Sequence, residues 1–187
     1  MSILLCDSFD DAIIAYVVHK WNNEETAIAL GRTMVQKICY FLKAKGVPLD
    51  FKFDIYHYGP YSQELYYRME ELVADGIVFD ESEQKSKSKY TPGDQIEELI
   101  SKHDISNHIN DIDDIIGLFN QFHPTEMELL ATIHYLQTTS TKYYGSPPTK
   151  DEIVEKVMTV KRGKFSRDLV SRAFDALHET GLFAWIS

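Results

Sequence analysis

Seven histidines are the residues of this chain most suited to metal or acid–base chemistry, yet their spacing predicts no site. His103 and His108 come nearest to a metal-ligand pair, but they lie among acidic residues and match no zinc motif. Ser62 follows a Gly59–Tyr61 turn, and a hydrolase nucleophile there would need the Gly-x-Ser-x-Gly motif, which is absent. The sequence also has no glycine-rich phosphate loop. We therefore predict no catalytic residue, metal or cofactor, and a protein that is not an enzyme.

Tyrosines around a Gly-Pro turn predict a surface for binding another protein. Five of them fall within twelve positions: Tyr56, Tyr58, Tyr61, Tyr66 and Tyr67. Exposed tyrosines beside a rigid turn offer contact area at a low cost in conformational entropy. The alternative is that these side chains cover the core of a small module, since tyrosine is intermediate in its usual burial.

Two basic clusters predict an alternative site for nucleic acid. The candidate residues are Lys85, Lys87 and Lys89 on a predicted wing, with Arg162, Lys164 and Arg167 near the start of the last long helix. In a winged helix, the wing and the recognition helix are the two elements that contact DNA. The other interpretation is that the wing lysines protect an edge strand and that the helix cations balance acids elsewhere.

Composition favours the protein partner over the nucleic acid. The 187 residues include 19 Lys and Arg against 29 Asp and Glu, a net charge of −10, which repels a phosphate backbone. Hydrophobic residues make up 44%, a globular composition that excludes wholesale disorder. Cys6 and Cys39 are too few for a disulfide framework. With no apparent signal peptide or membrane span, a cytoplasmic protein without membrane contact is expected.

Hydrophobic periodicity predicts a mainly α (α+β) fold. Apolar residues recur at helical spacing over 9–21, 32–44, 60–75, 105–119, 125–137, a short segment after Thr149, and 166–181. Alternation predicts strands over 51–58, 77–79 and 89–91, with a short final strand over 182–185. Small polar residues, a glycine and two prolines predict a loop over 138–148.

Two segments with a similar sequence pattern predict how these elements are organised. Residues 69–79 and 174–183 both read as a helix that ends at glycine and runs into an apolar strand, which is typical of winged-helix modules. We predict an N-terminal module with a small hairpin wing over 1–93, an acidic helical connector over 94–123, and a winged-helix-like module over 124–187. The connector carries an apolar stripe of Ile105, Ile109, Ile112, Ile116 and Phe119. Burial of this stripe on the two modules is the preferred interpretation, and a homodimer through it is the alternative.

Two segments resemble a known family. Residues 31–42, Gly-Arg-Thr-Met-Val-Gln-Lys-Ile-Cys-Tyr-Phe-Leu, and 57–65, His-Tyr-Gly-Pro-Tyr-Ser-Gln-Glu-Leu, resemble the YwgA-like family of uncharacterised bacterial and archaeal proteins. More distantly, the pattern is similar to the SocA/Panacea antitoxin domain. The resemblance implies an intracellular protein without established enzymatic activity. The distant link implies a domain that holds another protein, either a toxin to neutralise or a client to deliver to a protease.

The resemblance also supplies candidate site residues. With Tyr56 added from the strand, the predicted protein-binding set is Gln36, Lys37, Tyr40, Tyr56, Tyr58, Gly59, Pro60 and Tyr61. The alternative is that Gln36 and Lys37 bond to the Gly-Pro turn and fix their helix against it, which would make them scaffold. We prefer that second interpretation for these two residues.

Overall fold

A computed structural model describes residues 5–84 and 87–184, and within them the chain is mainly helical, as predicted. The helices are α1 (Phe9–Asn22), α2 (Arg32–Lys45), α3 (Gln63–Ala74), α4 (Ile96–Lys102), α5 (Ile109–Phe119), α6 (Pro124–Tyr144), α7 (Lys150–Lys161) and α8 (Arg167–Glu179). The strands are β1 (Asp54–Tyr56), β2 (Gly59–Tyr61), β3 (Val78–Asp80) and β4 (Tyr90–Pro92). Short 3₁₀ turns form at Ser106–His108 and Leu182–Ala184. In the described ranges, no helix is both long enough and apolar enough to cross a membrane.

Polar side chains fix where several helices begin. Ser8 and Thr149 each form a capping box at the start of α1 and α7, which satisfies backbone N–H groups that the first turn leaves unpaired. Thr125 and Glu128 have the spacing of a capping box, but the cap of helix α6 lies two residues earlier, at His123, with Glu126 supplying the carboxylate. Glu128 therefore takes no part in the cap, and its side chain lies in the interior.

The Gly-Pro segment forms a strand where a helix start was predicted. Strands β1 and β2 pair antiparallel in the register Asp54↔Tyr61, Ile55↔Pro60 and Tyr56↔Gly59, so that 57–58 form a two-residue turn. Gly59 has a φ of +84°, a conformation that glycine adopts readily and that lets the chain reverse this tightly. The second hairpin, β3–β4, forms where two short strands were predicted.

Two predictions about the C-terminal segment are wrong. Helix α6 continues over 138–144 of the predicted loop and ends at Tyr144, with the hydroxyls of Thr138 and Thr141 bonded to carbonyls four residues earlier. Residues 182–184 form a 3₁₀ turn instead of a strand, while Trp185 lies outside the described residues. The winged-helix assignment is not confirmed, since the described part of 124–187 contains no strand.

Buried apolar side chains from all three predicted segments form one continuous cluster. Helix α5 packs on α1 and α2, and the rings of Phe41 and Phe119 stack with their centroids 4.8 Å apart. Ile112 and Ile116 of the connector stripe have no exposed surface. The stripe is therefore largely buried within the chain, with Ile109 half-buried, and helix α5 packs against helices of the predicted N-terminal module.

Candidate functional site

A groove brings residues from both predicted sites together. It has a volume of about 570 Å³ and lies between the β1–β2 turn and the end of α7. Its lining residues are Ile55, Tyr56, His57, Tyr58, Val160, Lys161, Arg162 and Lys164. The described lining thus includes three cationic side chains and no acidic one. Two residues of the predicted protein-binding set, Tyr56 and Tyr58, face two of the predicted nucleic-acid set, Arg162 and Lys164.

A buried carboxylate holds the α7 side of the groove. Glu128 is 2% exposed and accepts hydrogen bonds from Lys161 Nζ at 2.8 Å and from Lys164 Nζ at 2.6 Å. Lys161 also donates to the backbone carbonyl of His57 at 2.8 Å, which ties the end of α7 to the hairpin turn. Burial lowers the pKa of Lys161, and the hydrogen bond and charge of Glu128 oppose that shift. The three side chains form a paired ionic network beneath the groove.

Helix α2 holds the hairpin from the other side. Lys37 Nζ donates to the carbonyl of Pro60 at 2.6 Å, while the Gln36 amide exchanges two hydrogen bonds with the backbone of Ser62, at 2.8 and 2.9 Å. Burial lowers the pKa of Lys37 to about 7, with a contribution from the nearby charge of Lys161 that Glu128 partly offsets. Lys37 thus bonds Pro60 itself and Gln36 bonds Ser62, the residue that follows strand β2, so both side chains fix α2 against this segment.

Tyr40 belongs to the interior as well. His134 lies between the Tyr40 hydroxyl, 2.8 Å from its Nδ1, and the Leu182 carbonyl, 2.9 Å from its Nε2. A carbonyl only accepts, so Nε2 carries the proton and Nδ1 accepts from Tyr40. Burial lowers the pKa of His134 to about 4, and the ring is neutral near pH 7. This chain of bonds fixes α6 to α2 and to the C-terminal turn.

The predicted protein-binding residues therefore divide into buried and exposed groups. The side chains of Gln36, Lys37 and Tyr40 are buried, so the expectation that they contact a partner directly does not fit this structure. Gly59 and Pro60 are also buried, and Tyr61 is half-buried.

Tyr56 and Tyr58 are the members of that set with exposed rings, at 53% and 62%. The ammonium of Lys164 lies 5.0 Å from the centroid of the Tyr58 ring, a cation–π arrangement. These two tyrosines are thus the groups that the hairpin offers to a partner.

Three of the five described residues in the predicted nucleic-acid set are paired with carboxylates. Lys85 lies outside the described residues, Lys87 is exposed, and Lys89 pairs with Glu81 at 3.4 Å. Arg167 pairs with Glu155, and Lys164 with Glu128. Most of these charges are thus already balanced within the chain.

Arg162 differs from these cations. It is exposed, lines the groove, and forms no ion pair with any carboxylate in the described ranges. It is therefore the groove cation that has no carboxylate partner among the described residues.

Sequence reasoning missed the role of Glu128. Its position in the apolar stretch 127–133 of α6 was the available signal, because a charged residue there must be buried with a partner. The partner lysines follow only after the hairpin and α7 are placed in three dimensions. In the described residues, no group of three or more potential metal ligands comes together.

Comparison with known proteins supports the resemblance seen in the sequence. No family model matches the chain. The chain is 26% identical over 154 residues to the uncharacterised protein YwgA of Bacillus subtilis (strain 168), an alignment that covers 80% of this chain and 86% of that protein. The resemblance to the YwgA-like family is confirmed. The more distant resemblance to the SocA/Panacea domain stays a prediction.

Proposed function

We propose that the chain is a non-enzymatic, cytoplasmic protein-binding module of the antitoxin or adaptor type, and that its partner binds in the groove. One observation carries this proposal: Tyr56 and Tyr58 are exposed on a hairpin that buried lysines hold on two sides. Aromatic side chains on a rigid support are typical centres of protein interfaces.

Rigidity of the turn adds to this argument. The carbonyls of His57 and Pro60 accept hydrogen bonds from Lys161 and Lys37, two side chains on different helices. A hairpin fixed in this way loses little conformational freedom when a partner binds. A smaller part of the contact energy is then spent on ordering the site.

Charge distribution favours a protein over a nucleic acid. Proteins bind a phosphate backbone through many unpaired cations, and the affinity of the complex increases with the number of these contacts. Here Lys89, Lys164 and Arg167 are each paired with a carboxylate of the same chain, and the net charge is −10. Nucleic-acid binding is accordingly the alternative that the experiments must exclude.

Co-purification with matched variants tests the proposal. The tagged full chain, the double variant Tyr56→Ser/Tyr58→Ser and the control Tyr143→Ser/Tyr144→Ser are expressed in the organism that encodes the protein. The control rings are 81% and 67% exposed but lie at the far end of α6. We expect a partner protein to be recovered with the wild type and the control, and to be lost with the groove variant.

Affinity measured with the purified partner completes the test. Removal of the two groove tyrosines should weaken binding about thirtyfold or more, as expected for interface hot spots. Equal affinity of the two double variants would contradict the proposal. Recovery of nucleic acid in place of a protein, lost through the charge variant Arg162→Glu, would support the alternative function.

A further inference from the structure

The groove carries an excess of positive charge on an acidic protein. Lys161 and Lys164 share a single carboxylate, that of Glu128, so one of their two charges is left uncompensated. Arg162 adds a second charge, with no ion pair to any carboxylate in the described part of the chain. No described lining residue is acidic, and the Glu128 carboxylate beneath the groove is already bonded to both lysines, so an anion entering the groove meets a net positive charge.

The backbone of Arg162, at the end of α7, adopts a conformation that is uncommon for a residue other than glycine. Its φ of 47° and ψ of 43° place it in the left-handed region, and it is the one non-glycine residue with positive φ among those described. Glycine or asparagine adopts this conformation at less cost at a helix end. The unfavourable conformation holds an exposed guanidinium at the mouth of the groove, and backbone strain of this kind is found preferentially at functional sites.

We infer that the groove binds an acidic peptide segment of the partner, with a carboxylate of that segment held by Arg162 and Lys164. This inference rests on the proposed function and specifies the chemistry of the partner. A guanidinium offers paired N–H donors that match the two oxygens of a carboxylate. The exposed rings of Tyr56 and Tyr58, together with Val160, provide apolar surface beside that ion pair.

Arg162 and Lys164 have different neighbours, and we therefore expect them to have different roles in binding. Lys164 is 38% exposed and already bonds Glu128, so it supplies charge beside the Tyr58 ring without moving far. Arg162 has all its guanidinium donors available, because it has no ion-pair partner in the described ranges. Arg162 is therefore the main anchor, and Lys164 contributes mainly through its charge.

Fluorescence anisotropy at low salt tests the inference with three labelled probes. They are the peptide Glu-Leu-Glu-Gly-Glu-Leu-Glu, the same peptide with glutamine at every glutamate, and a single-stranded oligonucleotide of equal charge. The acidic peptide should bind saturably and lose affinity as salt is added, while the glutamine peptide should not bind. Arg162→Asn should weaken binding of the acidic peptide by about tenfold.

A matched control variant distinguishes the effect of losing a positive charge in the groove from the effect of losing one elsewhere on the surface. Arg172→Asn removes an exposed arginine of α8 that is paired with Asp168 and does not line the groove. It should leave peptide affinity unchanged. Thermal unfolding should show that Arg162→Asn is no less stable than the wild type, since asparagine tolerates the left-handed conformation. A loss of peptide binding then reflects the missing guanidinium and not a damaged fold.

Several results would overturn the inference: no saturable binding of the acidic peptide, equal binding of the glutamine peptide, equal effects of the two asparagine variants, or tighter binding of the oligonucleotide. The two proposals also fail separately. If recovery of a partner depends on the two tyrosines but is unchanged by Arg162→Asn, the proposed function stands and the acidic-segment inference fails. If the acidic peptide binds but no partner depends on the tyrosines, the proposed function fails and the groove is still a site for acidic peptides.

Discussion

The ammonium of Lys161 donates a 2.8 Å hydrogen bond to the carbonyl of His57, a residue 104 positions earlier in the chain. The same ammonium bonds the buried carboxylate of Glu128. One side chain at the end of α7 thus joins the hairpin, α6 and α7 at the base of the groove. The shape of the groove and the stability of the fold therefore depend on a shared set of bonds.

Lys161→Met should destabilise the protein by about 3 kcal/mol, because it leaves a buried carboxylate with one partner and a backbone carbonyl with none. Denaturant unfolding at neutral pH measures this loss. The double variant Lys161→Met/Glu128→Met should lose less than the single variant, since it removes both buried charges and Lys164, 38% exposed, can be hydrated.

An exposed ion pair provides the control for that experiment. Lys150 and Asp175 are paired at 2.6 Å, with side chains 36% and 54% exposed. Lys150→Met should cost less than about 1 kcal/mol, as exposed pairs usually do. If Lys161→Met cost no more than Lys150→Met, the buried network would not hold the groove.

Gly59→Ala should be more damaging than the same change at Gly145, although both glycines have positive φ. A Cβ at Gly59 would lie 2.8 Å from Thr132 Oγ1 and 3.2 Å from the carbonyl of Glu128, whereas nothing lies within 4 Å of one at Gly145. Backbone strain alone should cost about 1 kcal/mol at Gly145. At Gly59 the clash adds to it, for a loss of about 3 kcal/mol in denaturant unfolding. Equal losses would show that the hairpin moves freely away from α6.

Ile112→Asp should unfold the monomer rather than dissociate an oligomer. Ile112 has no exposed surface within the chain, so a carboxylate there would be buried without a partner and cost about 4 kcal/mol or more. Leu118→Asp on the same helix is the control, at a residue 39% exposed, and should cost little. Light scattering should give one unchanged mass for the wild type and the control. A wild-type dimer that Ile112→Asp converts to a stable monomer would contradict this prediction.

Local pattern was sufficient to predict most helices. The residues of an apolar stripe recur every three or four positions. A capping residue such as Ser8 or Thr149 bonds a group three positions away, so both signals can be recognised locally. The same local reasoning failed over 138–144. There the helix continues although its small polar residues are typical of a loop. Ser140 is buried and accepts a hydrogen bond from Lys156 of α7, a contact between residues 16 positions apart that local pattern does not show.

The groove was only partly predictable. The positions of tyrosines and basic residues along the chain indicated both the hairpin tyrosines and the cations near 162, but we assigned the two groups to different sites. Nothing in the spacing shows that the turn at 57–58 meets the end of α7, since their contact depends on how α6 packs between them. Burial of Lys37 and Lys161 also runs against the usual preference of lysine for solvent.

Lys37 should make stability depend on pH just above neutrality. Its pKa is about 7 in the folded chain against an ordinary 10.5, so between these values the unfolded chain binds a proton that the folded chain does not. The free energy of unfolding should therefore rise with pH across this window, by up to about 1.4 kcal/mol per pH unit for one such group. Burial also lowers the pKa of Lys161, which acts on stability in the same direction.

Denaturant unfolding between about pH 7 and pH 9 gives the clearest measure of this effect, because above pH 9 the raised pKa values of the buried Cys6 and Cys39 thiols lower the stability as pH rises and oppose it. Lys37→Met should flatten the rise. Lys20→Met is the control, since a hydrogen bond to Glu24 is the main cause of its raised pKa, and it should keep the full slope. A Lys37→Met slope equal to that of the wild type would mean that Lys37 is charged in the folded state throughout this range, with a counter-charge or water that compensates its burial.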